Sequence, residues 1–392
     1  MQNTDEQLVS VIIPCCNVED TLFQCVMSIS CQTYPYLEIL IIDDGSKDHT
    51  LKVAKNLAKL DKRIKVISKK NEGYGATCNR GLKEATGQWI SIVEPDDYIE
   101  YTMYAEMLKF ARSFPERIDI IKTPWVNVNE WNNNLTQYET GCDLEGRMKT
   151  SKRSFSLKDY PVLIEGHPAI WSALFNHDFL RENNICFHEY PGAGWADNPF
   201  LMDTFARAQH IVYLNEPFYN YRCDLKHSTL HHTTDDAIAR PFDRWTDMTA
   251  TLNDLKIDDE AIWRAHIYRG FRYIDGAIKD DGWSNPLVKE RTYDVFSLMD
   301  EDIVMHHPKL KNFQRNFFLR VLGKDRNAPF NLGRIGYVLA EFIRSLRLGG
   351  IKGTLKKIRY YSSKPNDTGV TGLMGYMPRR VRTRNRRRLA HV

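Results

Sequence analysis

The sequence predicts an α/β protein: a doubly wound, Rossmann-like parallel sheet, then an α+β part, then a mainly helical C-terminal region. Three observations predict it. Through the first hundred residues, short β-branched apolar runs alternate with segments whose apolar residues recur at helical spacing. From 101 to about 230 that alternation loosens into mixed helix and strand. From about 235 to 348 the spacing is helical almost throughout.

Each element has its own justification. "VSVII" (9–13) and "LEILIIDD" (37–44) are apolar runs of the kind buried on both faces of a parallel sheet. Between them, in residues 18–33, Leu22, Cys25, Val26 and Ile29 share one helical face. Residues 46–60 predict a second helix with Ser46 or Asp48 as N-cap. "IKVISK" (64–69), "YGATCNRGLKEAT" (74–86) and "QWISIVE" (88–94) continue as strand, helix and strand. Right-handed crossovers would follow. Further on, 101–113 predicts a helix and 118–128 a strand. Residues 163–187 start strand-like and end helical, 188–209 form a Gly/Pro loop opening into a helix, and 211–222 read as a strand pair or an extended segment.

Ligands of such sheets sit beyond the carboxyl ends of the strands. Those ends carry "PCCN" after the first strand, "DDGS" (43–46) after the second and "EPDD" (94–97) after the fourth. Glu94, Asp96 and Asp97 would repel one another and raise each other's pKa values unless something positive joins them. Neither G-x-G-x-x-G after the first strand nor G-x-x-x-x-G-K-[ST] anywhere occurs, which disfavours a dinucleotide fold and a P-loop. A nucleotide's phosphates would then be held through a divalent cation bridging to carboxylates.

Composition bounds the class. Hydrophobic residues make up 42% and charged residues 27%, ordinary for a soluble globular protein. The sequence lacks an apolar run of about 18 residues and a signal-peptide pattern at its start, so a cytoplasmic protein is expected. Eight cysteines without a C-x-x-C pair read as buried reduced thiols. The net charge of +4 hides an asymmetry: residues 350–392 hold 12 Lys/Arg against one acid, leaving −7 on the rest. Such a basic tail is expected to meet something anionic.

"VSVIIPCCNVEDTL", "QTYPYLEILIIDDGSKDHT", "NEGYGATCNRGLKEATGQWISIVEPDDYI", "GAGWADNPF" and "YNYR" occur in that order, and with them residues 8–230 resemble family 2 glycosyltransferases of the GT-A fold. The resemblance implies transfer of a sugar from a nucleotide sugar, with a UDP-linked hexose or N-acetylhexosamine as donor, to an acceptor hydroxyl with inversion. It implies Mg²⁺ or Mn²⁺ on Asp96, with Glu94 near the ribose and Asp97 near the metal's water shell. Asp44 is implied as the carboxylate facing the base, beside Pro14, Asn17 and Glu19 after the first strand. Asp197 is implied as the general base, in a loop that Gly194 lets approach the sugar. His167, Trp171 and Trp195 are candidates for the acceptor side.

Plainer roles stay open beside these. Asp44 suits a turn, the acids at 94–97 suit a helix cap, Asp197 suits an N-cap and Trp171 suits the core. Four positions depart from the family pattern: Glu94 for the first Asp of D-x-D, Cys16 for an aromatic residue, Cys78 for Arg before Asn79, and Ala196 before Asp197. Lys69, Lys70 or Arg80 would then supply positive charge to the diphosphate. "HSTLHH" (227–232) reads as a solvated loop.

The expected organisation is a transferase domain over 1–230, divided into a nucleotide-binding half (1–100) and an acceptor half (101–230). A helical region (231–364) and a disordered basic tail (365–392) follow. Residues 332–350 put Leu332, Ile335, Val338, Leu339, Phe342, Ile343 and Leu346 on one helical face, as a core helix or an interfacial one. Seven arginines in 379–388 suit an anionic leaflet. The expected setting is therefore the inner face of the cell membrane, acting on a glycan or lipid-linked acceptor in cell-surface polysaccharide or glycolipid synthesis. Nucleic acid is the less favoured partner. Competing functions are transfer to a protein, a catalytically silent nucleotide-binding scaffold and, from the tail alone, a nucleic-acid binder.

Overall fold

The computed structural model describes residues 6–132, 136–223 and 234–362. A sheet of seven strands and a smaller one of four form its core. In the larger sheet, β1 (Val9–Cys15), β2 (Leu37–Asp44), β3 (Ile64–Lys69) and β4 (Trp89–Ile92) are mutually parallel in the order β4-β1-β2-β3. Every residue of β1, β2 and β4 is buried, as unbroken apolar runs covered on both faces require.

Helices α1 (Leu22–Ser30), α2 (Thr50–Leu60) and α3 (Tyr74–Glu84) connect these strands, and α1 buries the four residues its spacing predicts. Neither Ser46 nor Asp48 is the N-cap of α2, which starts at Thr50 behind His49. The Ser46 hydroxyl instead accepts from the Asn17 amide (3.0 Å), and Asp48 accepts from Thr50 (2.9 Å) and Glu19 (3.2 Å). Ser46 is thus engaged by the loop after β1, while Asp48 serves that loop and the first residue of α2 at once. Helix α3 lies close on its neighbours: a Cβ on Gly75 would stand 2.0 Å from the His188 carbonyl oxygen.

After β5 (Tyr98–Ile99) and α4 (Met103–Ala111), the stretch expected as one strand over 118–128 is two. β6 (Ile120–Lys122) joins the large sheet antiparallel to β9, and β7 (Trp125–Asn129) joins the small one. Pro124, with no N–H to offer a ladder, separates them. β8 (Tyr138–Gly141) pairs with β7. Residues 161–164 form a 3₁₀ turn where strand-like character was expected; the strand comes later, as β9 (Ala173–Asn176), before α5 (His177–Glu182) and α6 (Asp197–Arg207). β10 (Ile211–Tyr213) and β11 (Tyr219–Arg222) again divide between the sheets, with Pro217 between them. Each runs parallel to its partner, β10 to β6 and β11 to β7.

The helical region is α7 (Asp235–Asp254), α8 (Glu260–Asp281), α9 (Pro286–Ser297), α10 (Glu301–His306), α11 (Asn312–Val321) and α12 (Leu332–Ser362), the last broken at Gly350. Side chains of Thr234, Asp259, Asn285 and Asp300 cap the first four. Helix α8 reaches across to the first part of the chain, where Arg269 donates to the Ile164 carbonyl at 2.7 Å. Among the described residues no helix is long and apolar enough to cross a membrane. The basic tail and residues 227–232 lie outside the described residues.

Candidate active site

Carboxylates from the ends of β2 and β4 and from the start of α6 gather at the carboxyl edge of the parallel strands. Just past β4, Glu94 accepts from the Tyr74 hydroxyl at 2.6 Å, and its amide donates to the Tyr219 hydroxyl at 3.0 Å. Protein encloses its carboxyl on most sides, and burial, reinforced by Asp96 and Asp197, pushes its pKa up to about 8. Asp96 is half-buried, and its carboxyl is also raised by burial. Apart from its own amide, no described residue donates to that carboxylate; the clamp on Asp96 is to its carbonyl, which accepts from the Arg222 guanidinium.

Asp97 belongs behind this site, not in it. It is fully buried, and its oxygens accept from the Tyr219 hydroxyl (2.9 Å) and the Arg222 amide (2.8 Å). Contact with nucleotide or metal water is therefore corrected to a structural role: Asp97 ties β11 to the end of β4. Trp171 is likewise core, 2% exposed and stacked on Tyr219 at 4.1 Å. Pro14 is buried within β1 in register with Ile42, so its ring offers a ligand nothing.

Asn17 and Glu19 brace two loops. Asn17 accepts from the Lys47 amide (2.8 Å), and Glu19 accepts from the His49 amide (2.7 Å) and faces its ring. Asp44 is 3% exposed and organises the β3–α3 loop: Oδ1 accepts from Lys69 (2.5 Å) and the Glu72 amide (2.9 Å), Oδ2 from the Gly73 amide (3.0 Å). One acceptor position of about four remains for a ligand. Lys69 bridges Asp44 and Glu72, and Arg80 pairs with Glu84 one helical turn on. Cys16 is exposed beside this loop, 3.4 Å from the Asn71 amide group.

Asp197 is the first residue of α6, after Ala196, so it does not cap the helix. Its carboxyl is raised to about 6 by burial, against the pull of Arg269 and the Asn198 side chain, which donates to it at 3.1 Å. Asn198 in turn accepts from Arg269 and from the Tyr273 hydroxyl, each at 2.5 Å. The loop before Asp197 holds Gly194, buried at φ +60°, where a Cβ would stand 2.6 Å from that of Tyr190. Trp195, also at positive φ, is half-buried with its ring 5.9 Å from Tyr273. His167 is exposed, its ring 5.2 Å from the Tyr221 ring, and its Nδ1 accepts from the Ala169 amide at 3.1 Å.

The arrangement concentrates Glu94, Asp96 and Asp197, all with raised pKa values, in one electrostatic neighbourhood. No group of three or more His, Cys, Asp or Glu among the described residues is set to hold a metal alone. A divalent cation would fit on the otherwise unengaged Asp96 carboxylate, with phosphate and water oxygens completing its shell, as Mg²⁺ commonly binds. A separate cavity of about 720 Å³ lies across the β3–α3 loop, lined by Lys69, Asn71, Asn79, Arg80 and Tyr190. None of the three raised carboxyls lines it.

Sequence reasoning missed Tyr74, Tyr219, Arg222, Arg269 and Tyr273. "YNYR" marks two of these as a motif without assigning them work. Nothing in the sequence links Arg269 to Asn198, 71 residues away.

Residues 10–171 match the family model described as glycosyl transferase family 2. The chain is similar to the uncharacterized glycosyltransferase EpsJ of Bacillus subtilis, 28% identical over 224 residues, covering 55% of this chain and 61% of EpsJ. It is similar too to the glycosyltransferase GlyG of Streptococcus pneumoniae, 26% identical over 224 residues, covering 55% of this chain and 71% of GlyG. The match thus spans about three fifths of EpsJ. Among solved structures, residues 1–349 of S. aureus TarS in complex with UDP-GlcNAc share the fold, with a TM-score of 0.65 and 18% identity over 81% of this chain and 88% of that one.

Proposed function

We propose that this chain, whose residues 10–171 match the model of glycosyl transferase family 2, moves a hexose or N-acetylhexosamine from a UDP-linked donor to an acceptor hydroxyl with inversion. The observation that carries the proposal is the pairing of a poised carboxylate, Asp197, with the acid pair Glu94 and Asp96. The TarS fragment, similar in fold, is known in complex with UDP-GlcNAc, so UDP-sugars are the donors to test first.

In this reading Asp197 takes the acceptor hydroxyl's proton as its oxygen attacks the anomeric carbon, and the bond to UDP breaks. A pKa of about 6 leaves Asp197 mostly ionised at neutral pH yet close enough to operating pH to serve as base. Asn198, gripped by Arg269 and Tyr273, orients it. Asp96 would hold Mg²⁺ or Mn²⁺, which when bound would neutralise charge developing on the departing diphosphate. Glu94 would meet the ribose, and Asp44 would accept from the base with its remaining lone pair. His167 and Trp195 would line the acceptor side. A glycan or lipid-linked acceptor at the inner membrane face, met through the basic tail, suits cell-surface polysaccharide or glycolipid synthesis.

The test is UDP release from a panel of UDP-sugars with Mn²⁺, Mg²⁺ or EDTA, in wild type, Asp96→Ala and Asp197→Asn. Release that needs metal and falls at least about a hundredfold in each variant is expected. Metal-independent release, or full activity in Asp197→Asn, would sink the assignments.

A further inference from the structure

We propose that the outward face of α12 seats this protein on an anionic lipid bilayer. Helix α12 is docked the reverse of the usual way. Its inward side is polar: Arg334 donates to the Lys309 carbonyl (2.9 Å), Arg344 donates to the Glu145 carbonyl (3.1 Å), and Glu341 faces Arg147 (4.0 Å). Its outward side carries Leu332, Ile335, Val338, Leu339, Phe342 and Ile343, between 42% and 73% exposed. Burial of apolar surface would ordinarily turn that stripe inward. A contiguous apolar face left outside by a helix held through its charges is a surface made for a partner.

Charge selects the partner. From Gly350 onward the chain continues with 12 Lys/Arg against one acid. A second copy on this face would bring an equally basic segment beside the first and repel it, whereas an anionic leaflet attracts the segment and accepts the apolar stripe. Exposed Arg347, at the edge of the stripe, suits the same interface.

The placement also bears on acceptor supply. Arg147, which faces Glu341, stands 3.5 Å from Glu165, and Lys309 pairs with that same carboxylate. Glu165 is two residues from His167, so the lipid-facing helix is braced against the segment assigned to the acceptor side. This deepens, and rests on, the reading of a lipid-linked acceptor.

The test is co-sedimentation of the full chain with phosphatidylcholine vesicles with and without phosphatidylglycerol. The comparison is Leu339→Gln/Phe342→Gln/Ile343→Gln, three exposed positions whose change leaves the melting temperature in place. Wild type should bind the anionic vesicles, more weakly at high salt, and the triple variant should partition at least about tenfold less. Equal binding by both, or none by wild type, would overturn the proposal. So would a wild-type dimer in light scattering that the variant dissolves, which would assign the face to a second copy. Donor hydrolysis measured on the same samples separates the two readings: turnover without vesicle binding overturns only this one, and vesicle binding without turnover supports it while counting against the transferase.

Discussion

Asp197 and Glu94 are two carboxyls that burial raises by different amounts, and each has a pH signature. With Asp197 near 6, kcat/KM should climb with pH through about 6 as the base loses its proton, and Asp197→Asn should abolish that limb. Glu94, raised to about 8, acts on stability. Between about 4.5 and 8 the folded form holds a proton there that the unfolded chain has lost, so stability falls as pH rises. Glu94→Gln should flatten that fall, by less than the limiting ~1.4 kcal/mol per pH unit because the side chain keeps some solvent contact. Urea unfolding at pH 5 and pH 8 measures it; an unchanged slope would mean the carboxyl is ionised in the folded state.

At the scale of elements, α8 shapes the surroundings of Asp197. Arg269 is 1% exposed and joins the Ile164 carbonyl, Tyr273 and Asn198. Arg269→Met would strand the Ile164 carbonyl and loosen Asn198, a loss of about 2–3 kcal/mol in unfolding free energy. It would also remove the cation that holds Asp197 down, so the acid limb of the pH profile should move to higher pH while KM for donor changes little. A stability loss with an unmoved limb would make Arg269 merely structural. Prolines also mark the crossings between sheets: Pro124 lies between β6 and β7 and Pro217 between β10 and β11, and Arg222 of β11 then holds the Asp97 carboxylate and the Asp96 carbonyl.

For the whole molecule, the acid cluster is a stability cost that the proposed nucleotide and cation would relieve. UDP with Mn²⁺ should raise the melting temperature, by the equivalent of about 2.7 kcal/mol at a hundredfold excess over Kd, and either alone should do far less. Asp96→Ala should remove the shift. A shift from UDP that ignores metal would count against a cation at Asp96.

Much of this was legible in the residues themselves. The parallel strands, their helices and the convergence of "DDGS" and "EPDD" on one edge follow from periodicity, because unbroken β-branched runs have few ways to be covered. "GAGWADNPF" and "EPDD" likewise carry the candidate base and cation carboxylate. What only the tertiary structure decided is which acid stays accessible: Asp96 and Asp97 are neighbours of one charge, yet the turn between β4 and β5 leaves Asp96 half-buried and buries Asp97 against Tyr219 and Arg222. It also decided that Trp171 packs in the core, and that the helical region reaches Asp197 through Asn198. For residues 332–350, spacing defined the apolar stripe but not its direction. A stripe is local, whereas the Lys309 and Glu145 carbonyls and the Arg147 guanidinium that hold its opposite side come from distant parts of the chain.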